Sequence, residues 1–352
     1  MLTYRNEFSQ AGCGYGFMVA LGIEGELTLL HTELSEKNYD IIYNDNAPRS
    51  PEKITFDHFP MKSEICSVCS GENHTLLLDA SKNVYAFGKN TLKQLGVPSP
   101  KYSKTPLRVL GLPPIDFIAA GGSFNMAIDE NGKLWGWGLN SLNQLGGDSE
   151  NRKPRMIPNI PQVQQVACGG NFTIATTVDG KYLGWGHNAV GQIGTPMTNE
   201  LREMLVPDDI VKISCGFFHC MFLTSAGNVY AQGSCEKRQC GPDTSEKYQN
   251  TLILLSGLPE IRSIKCGSKV SYCIDTFGEL WKIGGDDSDG TPFKVPGLPP
   301  IQSIESNYST IAKDSETGAV WVWGSTTTSI QKYPDSSIMR MAIPFRQKSA
   351  RK

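Results

Sequence analysis

Ala119–Gly138 reads AAGGSFNMAIDENGKLWGWG, and this stretch decides the fold because the chain repeats it. It aligns without gaps to VACGGNFTIATTVDGKYLGWG, ending at Gly186, and to ISCGFFHCMFLTSAGNVYAQG, ending at Gly233. IKCGSKVSYCIDTFGELWKIG ends at Gly284 and CSGENHTLLLDASKNVYAFG at Gly88. The first copy runs from Gly14 to His31 and the last from Asn307 to Gly324. The copies begin at Gly14, Gly71, Gly121, Gly169, Gly216, Gly267 and Asn307, a period of about 40–57 residues.

Each copy reads as β-structure. The residues three and six before the first glycine are apolar nearly throughout: Ile65 and Val68, Ile115 and Ile118, Val163 and Val166, Ile210 and Ile213, Ile261 and Ile264. An apolar strand such as Met126–Ile128 follows, then a turn, then an aromatic strand such as Leu134–Trp137. Asn131-Gly132 and Asp179-Gly180 read as two-residue hairpin turns needing positive φ. Seven repeats of this size, each with a few short strands, suggest an all-β radial propeller, in which a blade buries its faces only against its neighbours. The ring is therefore expected to be one domain, 1–345, with repeats starting near residues 8, 65, 115, 163, 210, 261 and 301, followed by a basic tail, 346–352.

Composition bounds the function. Lys and Arg number 33 against 35 Asp and Glu, a formal charge of −2. Phosphate backbones are bound mainly through excess Lys and Arg, so nucleic acid is not an expected partner. Glycine is high, 36 of 352 residues, and the repeat uses it as punctuation at first residues, turns and strand ends. The N-terminal MLTYRNEFSQ lacks a signal-peptide layout, and the longest apolar run, Phe17–Ile23, is too short to span a bilayer. No membrane is expected. Ten cysteines then read as reduced thiols of a cytoplasmic or nuclear protein.

The tail of several copies carries a further pattern: Phe87-Gly88-Lys89-Asn90 with Gln94-Leu95-Gly96, Trp137-Gly138-Leu139-Asn140 with Gln144-Leu145-Gly146, and Trp185-Gly186-His187-Asn188 with Gln192-Ile193-Gly194. Copy five keeps Gln239-Cys240-Gly241 but has lost the Asn. Joined to a glycine-led strand, this tail resembles the regulator-of-chromosome-condensation (RCC1-like) repeat over essentially the whole chain. The resemblance implies a seven-bladed propeller, with rings that commonly close by pairing strands from the two chain ends. Phe8–Cys13 and Ile338–Ile343 would be those strands here.

Other constellations have plainer readings. Gly12-Cys13-Gly14-Tyr15-Gly16 sits in the repeat register, with no Lys-Ser/Thr after it, and so is no phosphate loop. Cys66 and Cys69 have metal-ligand spacing, but residues three apart on a strand point to opposite faces, so no zinc or other metal site is expected. Cys13, Cys168, Cys215 and Cys266 share the slot before the first glycine and read as scaffold. His74 and His219 stand where Phe17, Phe124 and Phe172 stand in other copies, which marks a packing position. The six tryptophans, one or three residues before the closing glycine, read as blade packing. Light sensing, known in the plant ultraviolet-B receptor of this family, would place tryptophan after the first glycine. Glu72, Gly122, Gly170, Phe217 and Ser268 stand there instead. The connector Thr32–Glu64, with seven acidic residues, reads either as a binding loop or as a solvated insertion. The tail Arg346–Lys352 reads either as a nuclear signal or as a solvated terminus.

No catalytic residues and no cofactor are expected. The resemblance implies a non-enzymatic, monomeric interaction propeller whose partner is a protein, with a small GTPase of Ran, Rab or Rho type favoured. The family's founding member is a nucleotide exchange factor for Ran that uses acidic residues near hairpin turns. The matching acids here are Glu24 and Asp179, each just before its hairpin glycine, with Asp129 and Glu130 close by. Elsewhere that slot holds Asn131, Ala226, Phe277 and Thr317. Two alternatives stand beside exchange: a scaffold or targeting domain, as in propellers fused to ubiquitin-ligase domains, and a chromatin-associated propeller.

Overall fold

A computed structural model of the 352-residue chain describes residues 11–15, 17–21, 27–32, 54–59, 63–147, 153–242, 247–286, 288–316, 320–324 and 339–341. These residues form seven four-stranded sheets, each antiparallel and built from strands consecutive in sequence. The first blade is Ala11–Cys13, Phe17–Leu21, Leu27–Thr32 and Ile54–Phe59 (β1–β4). The second is Ile65–Ser70, His74–Asp79, Val84–Lys89 and Tyr102–Arg108 (β5–β8), and the third is Ile115–Ala120, Phe124–Asp129, Leu134–Gly138 and Arg155–Met156 (β9–β12). Val163–Cys168, Phe172–Thr177, Tyr182–Gly186 and Arg202–Glu203 (β13–β16) make the fourth. Ile210–Cys215, His219–Thr224, Val229–Ser234 and Tyr248–Leu254 (β17–β20) make the fifth. The sixth is Ile261–Cys266, Ser271–Asp275, Leu280–Ile283 and Phe293–Lys294 (β21–β24), and the seventh Ile301–Ser306, Ser309–Asp314, Val320–Gly324 and Met339–Met341 (β25–β28). The chain is a β-propeller.

The apolar pair at the head of each copy is buried as expected: Ile115 and Ile118 are 0% and 3% exposed. In a regular strand, residues three apart would face opposite ways. The register shifts between Ile65 and Ser67, Val163 and Gln165, Ile210 and Lys212, and Ile261 and Ser263, a bulge at the same place in these four blades. That bulge returns both apolar residues to the core side, so strict alternation did not apply to Cys66 and Cys69. Among the described residues, no group of three or more His, Cys, Asp and Glu could hold a metal.

The hairpins also differ from the two-residue reading. Gly132 donates to Asp129 O and Asp129 in turn donates to Lys133 O, so the loop has three residues. Only its last residue needs positive φ, 72° at Gly132 and 83° at Gly180. This is a type I turn closed by a glycine bulge.

Apolar packing lies between blades. Leu76, Leu78, Val84 and Leu95 of the second repeat pack with Ile115, Ile118, Ala127 and Trp137 of the third. Similar layers join the third to the fourth, the fourth to the fifth, and the fifth to the sixth. A blade alone would leave both faces wet, which makes the ring the cooperative unit. Ring closure is a correction to the expected pairing of chain ends. β1 pairs with β2 and β28 with β27, in different sheets. The first and last blades meet by side-by-side packing, with the Cys13 thiol donating to Glu305 O at 3.5 Å.

Candidate functional site

Strand direction gives the ring two unlike ends. The turn between the second and third strands of a blade sits beside the connector entering that blade: Glu130 N donates to Pro114 O, Val178 N to Gln162 O, and Thr276 N to Glu260 O. This hairpin end carries the sequence-selected acids. The other end holds the turns after the lead glycines and the Gln-Leu-Gly tails.

The structure separates the four acids. Glu24 lies outside the described residues. Asp129 is 6% exposed, and its carboxylate accepts the N–H groups of Asn131 and Lys133 and the Trp135 Nε1–H, each at 2.9 Å. It therefore anchors its own hairpin. Asp275 holds Phe277 N, Glu279 N and Trp281 Nε1 in the same way, while Asp79 binds Asn83 N and Tyr85 Oη. An aspartate six residues before an aromatic was the sequence signal for this role. Glu130 and Asp179 are exposed. Glu130 shares Lys82 of the preceding blade with Asp116, at 3.3 and 3.0 Å, and the hydrogen bonds Lys82 donates to Asp116 and then to Glu130 raise its pKa. Asp179 accepts the Thr177 hydroxyl. Around them the hairpin end exposes Asp208, Asp209 and Glu260. It also exposes apolar side chains: Phe277 at a turn is 80% exposed and Leu205 in a connector 97%, with Val178 and Leu110 also exposed.

At the other end, residues after the lead glycines chain together around the axis. Tyr15 N donates to Glu72 O, Glu72 N to Gly122 O, Gly122 N to Gly170 O and Gly170 N to Phe217 O. Tyr15, Phe217 and Tyr308 close the axis, Tyr15 and Tyr308 edge to face at 4.8 Å and Phe217 and Tyr308 at 6.1 Å. The Tyr308 hydroxyl donates to Glu72 Oε1 at 3.4 Å. Burial, opposed by that bond, raises the Glu72 pKa. Aromatic residues of any kind in the slot after the first repeat position, here Tyr15, Phe217 and Tyr308, were the sequence signal for this closure.

The tails latch blade to blade. The tail asparagine accepts the N–H five residues on, as Asn90 does from Leu95, and the tail glutamine caps the turn before it, as Gln94 Oε1 does for Leu92 N. That fixes the glutamine main-chain carbonyl toward the next blade. Gln94 O accepts Asn125 Nδ2–H at 2.7 Å and Trp137 Nε1–H at 3.2 Å. Gln144 O accepts from Thr173 and Trp185, Gln192 O from Cys220 and Gln232, and Gln239 O from Ser271. His74 joins this latch, its Nε2 2.7 Å from Asn125 Oδ1, and His219 lies 3.0 Å from Ser271 Oγ. Both rings are fully buried, and burial lowers their pKa values to about 4 and about 3. Each ring lies against its lead glycine, where a Cβ would meet it within 2.4 Å. The two histidines are neutral structural groups.

Known proteins agree with this geometry. Family models for the regulator of chromosome condensation (RCC1) repeat match residues 83–128 and 131–176, and a second model of that repeat matches 65–94, 115–144, 163–192 and 210–234. The human probable E3 ubiquitin-protein ligase HERC4 is 30% identical over 69% of this chain and 21% of its own length. An RCC1 repeat-containing protein of Dictyostelium discoideum is 31% identical over 69% of this chain and 47% of its own. The chain thus spans between about a fifth and about half of these relatives. Prp20p from Saccharomyces cerevisiae, described with its binding properties to Gsp1p and histones, superposes with a TM-score of 0.72 at 20% identity, covering 84% of this chain and 80% of that one. Human WBSCR16 gives 0.71 at 21% identity, over 86% and 88%. The chain belongs to the regulator of chromosome condensation repeat family.

Proposed function

We propose that the chain is a non-enzymatic interaction propeller that regulates a small GTPase as a nucleotide exchange factor, engaging it through the hairpin end. The observation carrying this reading is the exposure, at that same end, of Glu130 and Asp179 and of Val178, Phe277 and Leu205. An exchange factor stabilises the nucleotide-free state of its partner. It needs differential affinity, supplied by carboxylates that compete for Mg²⁺ and cationic groups and by apolar contact, and no covalent step. The binding of Gsp1p named for Prp20p supports a protein partner of this kind. The test is nucleotide release from GDP-loaded Ran-, Rab- and Rho-type GTPases with the purified chain. Acceleration of one, lost on charge reversal at Glu130 and Asp179, is the expected result.

A second reading is a targeting propeller without exchange activity. It is favoured by relatives such as HERC4, of which the matched region is only 21%. Acceleration of no GTPase, with capture of a protein through the same end, would select it. A chromatin role predicts nucleosome binding that weakens steeply with salt.

A further inference from the structure

The fifth blade departs from the tail pattern at two slots at once. In the second, third and fourth blades the tail asparagine oxygen accepts the N–H of an apolar residue five positions on. The bonds are Leu95 N to Asn90 at 3.1 Å, Leu145 N to Asn140 at 2.6 Å and Ile193 N to Asn188 at 3.0 Å. In the fifth blade Cys235 stands in the asparagine slot and Cys240 in the leucine slot. The turn between them is unchanged. Arg238 N donates to Cys235 O at 2.8 Å, as Lys93 N does to Asn90 O at 3.1 Å. Lys237 N donates to Gln239 Oε1 at 2.8 Å, as Leu92 N does to Gln94 Oε1 at 2.9 Å.

The same loop geometry therefore places two thiols at the two ends of one tail turn, where the other blades place an amide and a methyl-bearing side chain. The two sulfurs lie within hydrogen-bonding reach of each other. They also donate to neighbouring carbonyls, Cys235 Sγ to Gly233 O at 3.4 Å and Cys240 Sγ to Ser234 O at 3.3 Å. Neither cysteine is in a disulfide, and both are buried. We infer that Cys235 and Cys240 are a covalent modification site, a reversible disulfide that replaces the asparagine bond of the other tails.

The reaction balances with a peroxide or a small-molecule disulfide as oxidant. Two S–H bonds are lost and one S–S bond forms. The two electrons and two protons reduce hydrogen peroxide to two waters, or oxidised glutathione to two thiols. A recess of about 60 Å³, lined by Cys240, Gly241, Pro242 and Leu254–Ser256, opens beside Cys240. That is room for a peroxide-sized molecule, since one water needs about 10–15 Å³ of such space. The hydrogen bond to Cys235, and then burial, push the Cys240 pKa well above its ordinary value. The thiolate is the reacting form, so oxidation speeds up as pH rises.

The bond would act on a seam. Gln239 O accepts the Ser271 hydroxyl of the sixth blade at 2.9 Å, and Gly285 N donates to Lys237 O at 2.8 Å. Fixing the 235–240 loop covalently would hold these two acceptor carbonyls in place against the sixth blade.

The test uses the native full-length protein exposed to oxidised glutathione or hydrogen peroxide, quenched by alkylation and digested with trypsin. Trypsin cuts after Lys237 and Arg238, so the two cysteines leave on separate peptides unless joined. The expected result is a peptide pair linked Cys235 to Cys240, returned to free peptides by dithiothreitol. The thermal midpoint of the oxidised chain should rise by about 3 °C. Cys235→Asn installs the residue of the other tails and keeps the fold, and it should abolish both link and shift. Separate alkylation of both cysteines after oxidation, earlier linkage to other cysteines, or an undiminished shift in Cys235→Asn would each overturn the inference.

Discussion

Lowering the pH from 8 to 5 should destabilise the ring through His74 and His219 specifically. The His74 Nε2–H donates to Asn125 Oδ1, while its Nδ1 is buried without a partner, as is His219 Nδ1. A second proton would therefore place a charged N–H where nothing accepts it. Burial holds the folded pKa values at about 4 and about 3, against the ordinary 6.5 of an unfolded chain. The folded state binds fewer protons, so stability is complete above about pH 7 and falls as pH drops below 6.5. The loss levels off near pH 4 for His74 and near pH 3 for His219. At pH 5, about 1.5 units below the unfolded value, each histidine costs about 2 kcal/mol, and the pair about 4. Urea unfolding across this range measures the loss directly. The control is His74→Phe with His219→Phe, because Phe124 and Phe172 fill the same slot elsewhere with no exposure. The double variant should lose most of the slope between pH 6.5 and 4.5, leaving what carboxylates contribute. A slope equal to that of the wild type would refute the assignment of acid sensitivity to these rings.

Other substitutions separate scaffold from surface. Asp129→Ala removes the acceptor of three hydrogen bonds and should cost about 2 kcal/mol in urea unfolding, whereas Glu130→Gln and Asp179→Asn should stay within about 0.5 kcal/mol while weakening partner binding several-fold; unchanged stability in Asp129→Ala would remove its turn-anchor role. Gly122→Ala puts a Cβ 2.6 Å from Gly170 O at the axis, and overpacking of this kind should cost about 1–3 kcal/mol, read from the denaturation midpoint. Trp137→Phe keeps an aromatic in the seam but deletes the bond to Gln94 O, for a loss of about 1 kcal/mol with the far-ultraviolet spectrum unchanged.

The repeat was legible because spacing carried it: seven registers, an apolar pair before each lead glycine, and an aromatic strand after each turn. Strand geometry was less legible. Ile65 and Val68 are both buried only because a bulge falls between them, and period-two reasoning alone would have turned one of them outward. The acids near the turns could not be sorted by type or position. Asp129 and Glu130 are adjacent, yet the first closes on Trp135 while the second faces Lys82 across a seam. Only the spacing to the aromatic six residues later distinguishes them, and that spacing recurs at Asp79 and Asp275. Ring closure was illegible because a side-by-side contact between first and last blades leaves no strand-pairing pattern in either terminal segment.

The latch explains how such a ring tolerates divergence. Its acceptor is always a main-chain carbonyl, at Gln94, Gln144, Gln192 and Gln239, fixed by the glutamine side chain and the local turn. A main-chain oxygen accepts any donor that reaches it. The facing blade supplies Asn125 and Trp137, then Thr173 and Trp185, then Cys220 and Gln232, then Ser271. Each pairing satisfies a buried carbonyl that would otherwise cost about 1–3 kcal/mol, so the donor is free to change while blade spacing stays the same. The same freedom lets individual slots take on chemistry the ring does not require. A histidine in a phenylalanine slot makes the seam acid-sensitive. Two cysteines in the asparagine and leucine slots make one tail able to accept or give up a pair of electrons. Both devices sit in the seams, away from Glu130 and Asp179 at the hairpin end, so either can be altered without touching the exposed surface that a partner would meet.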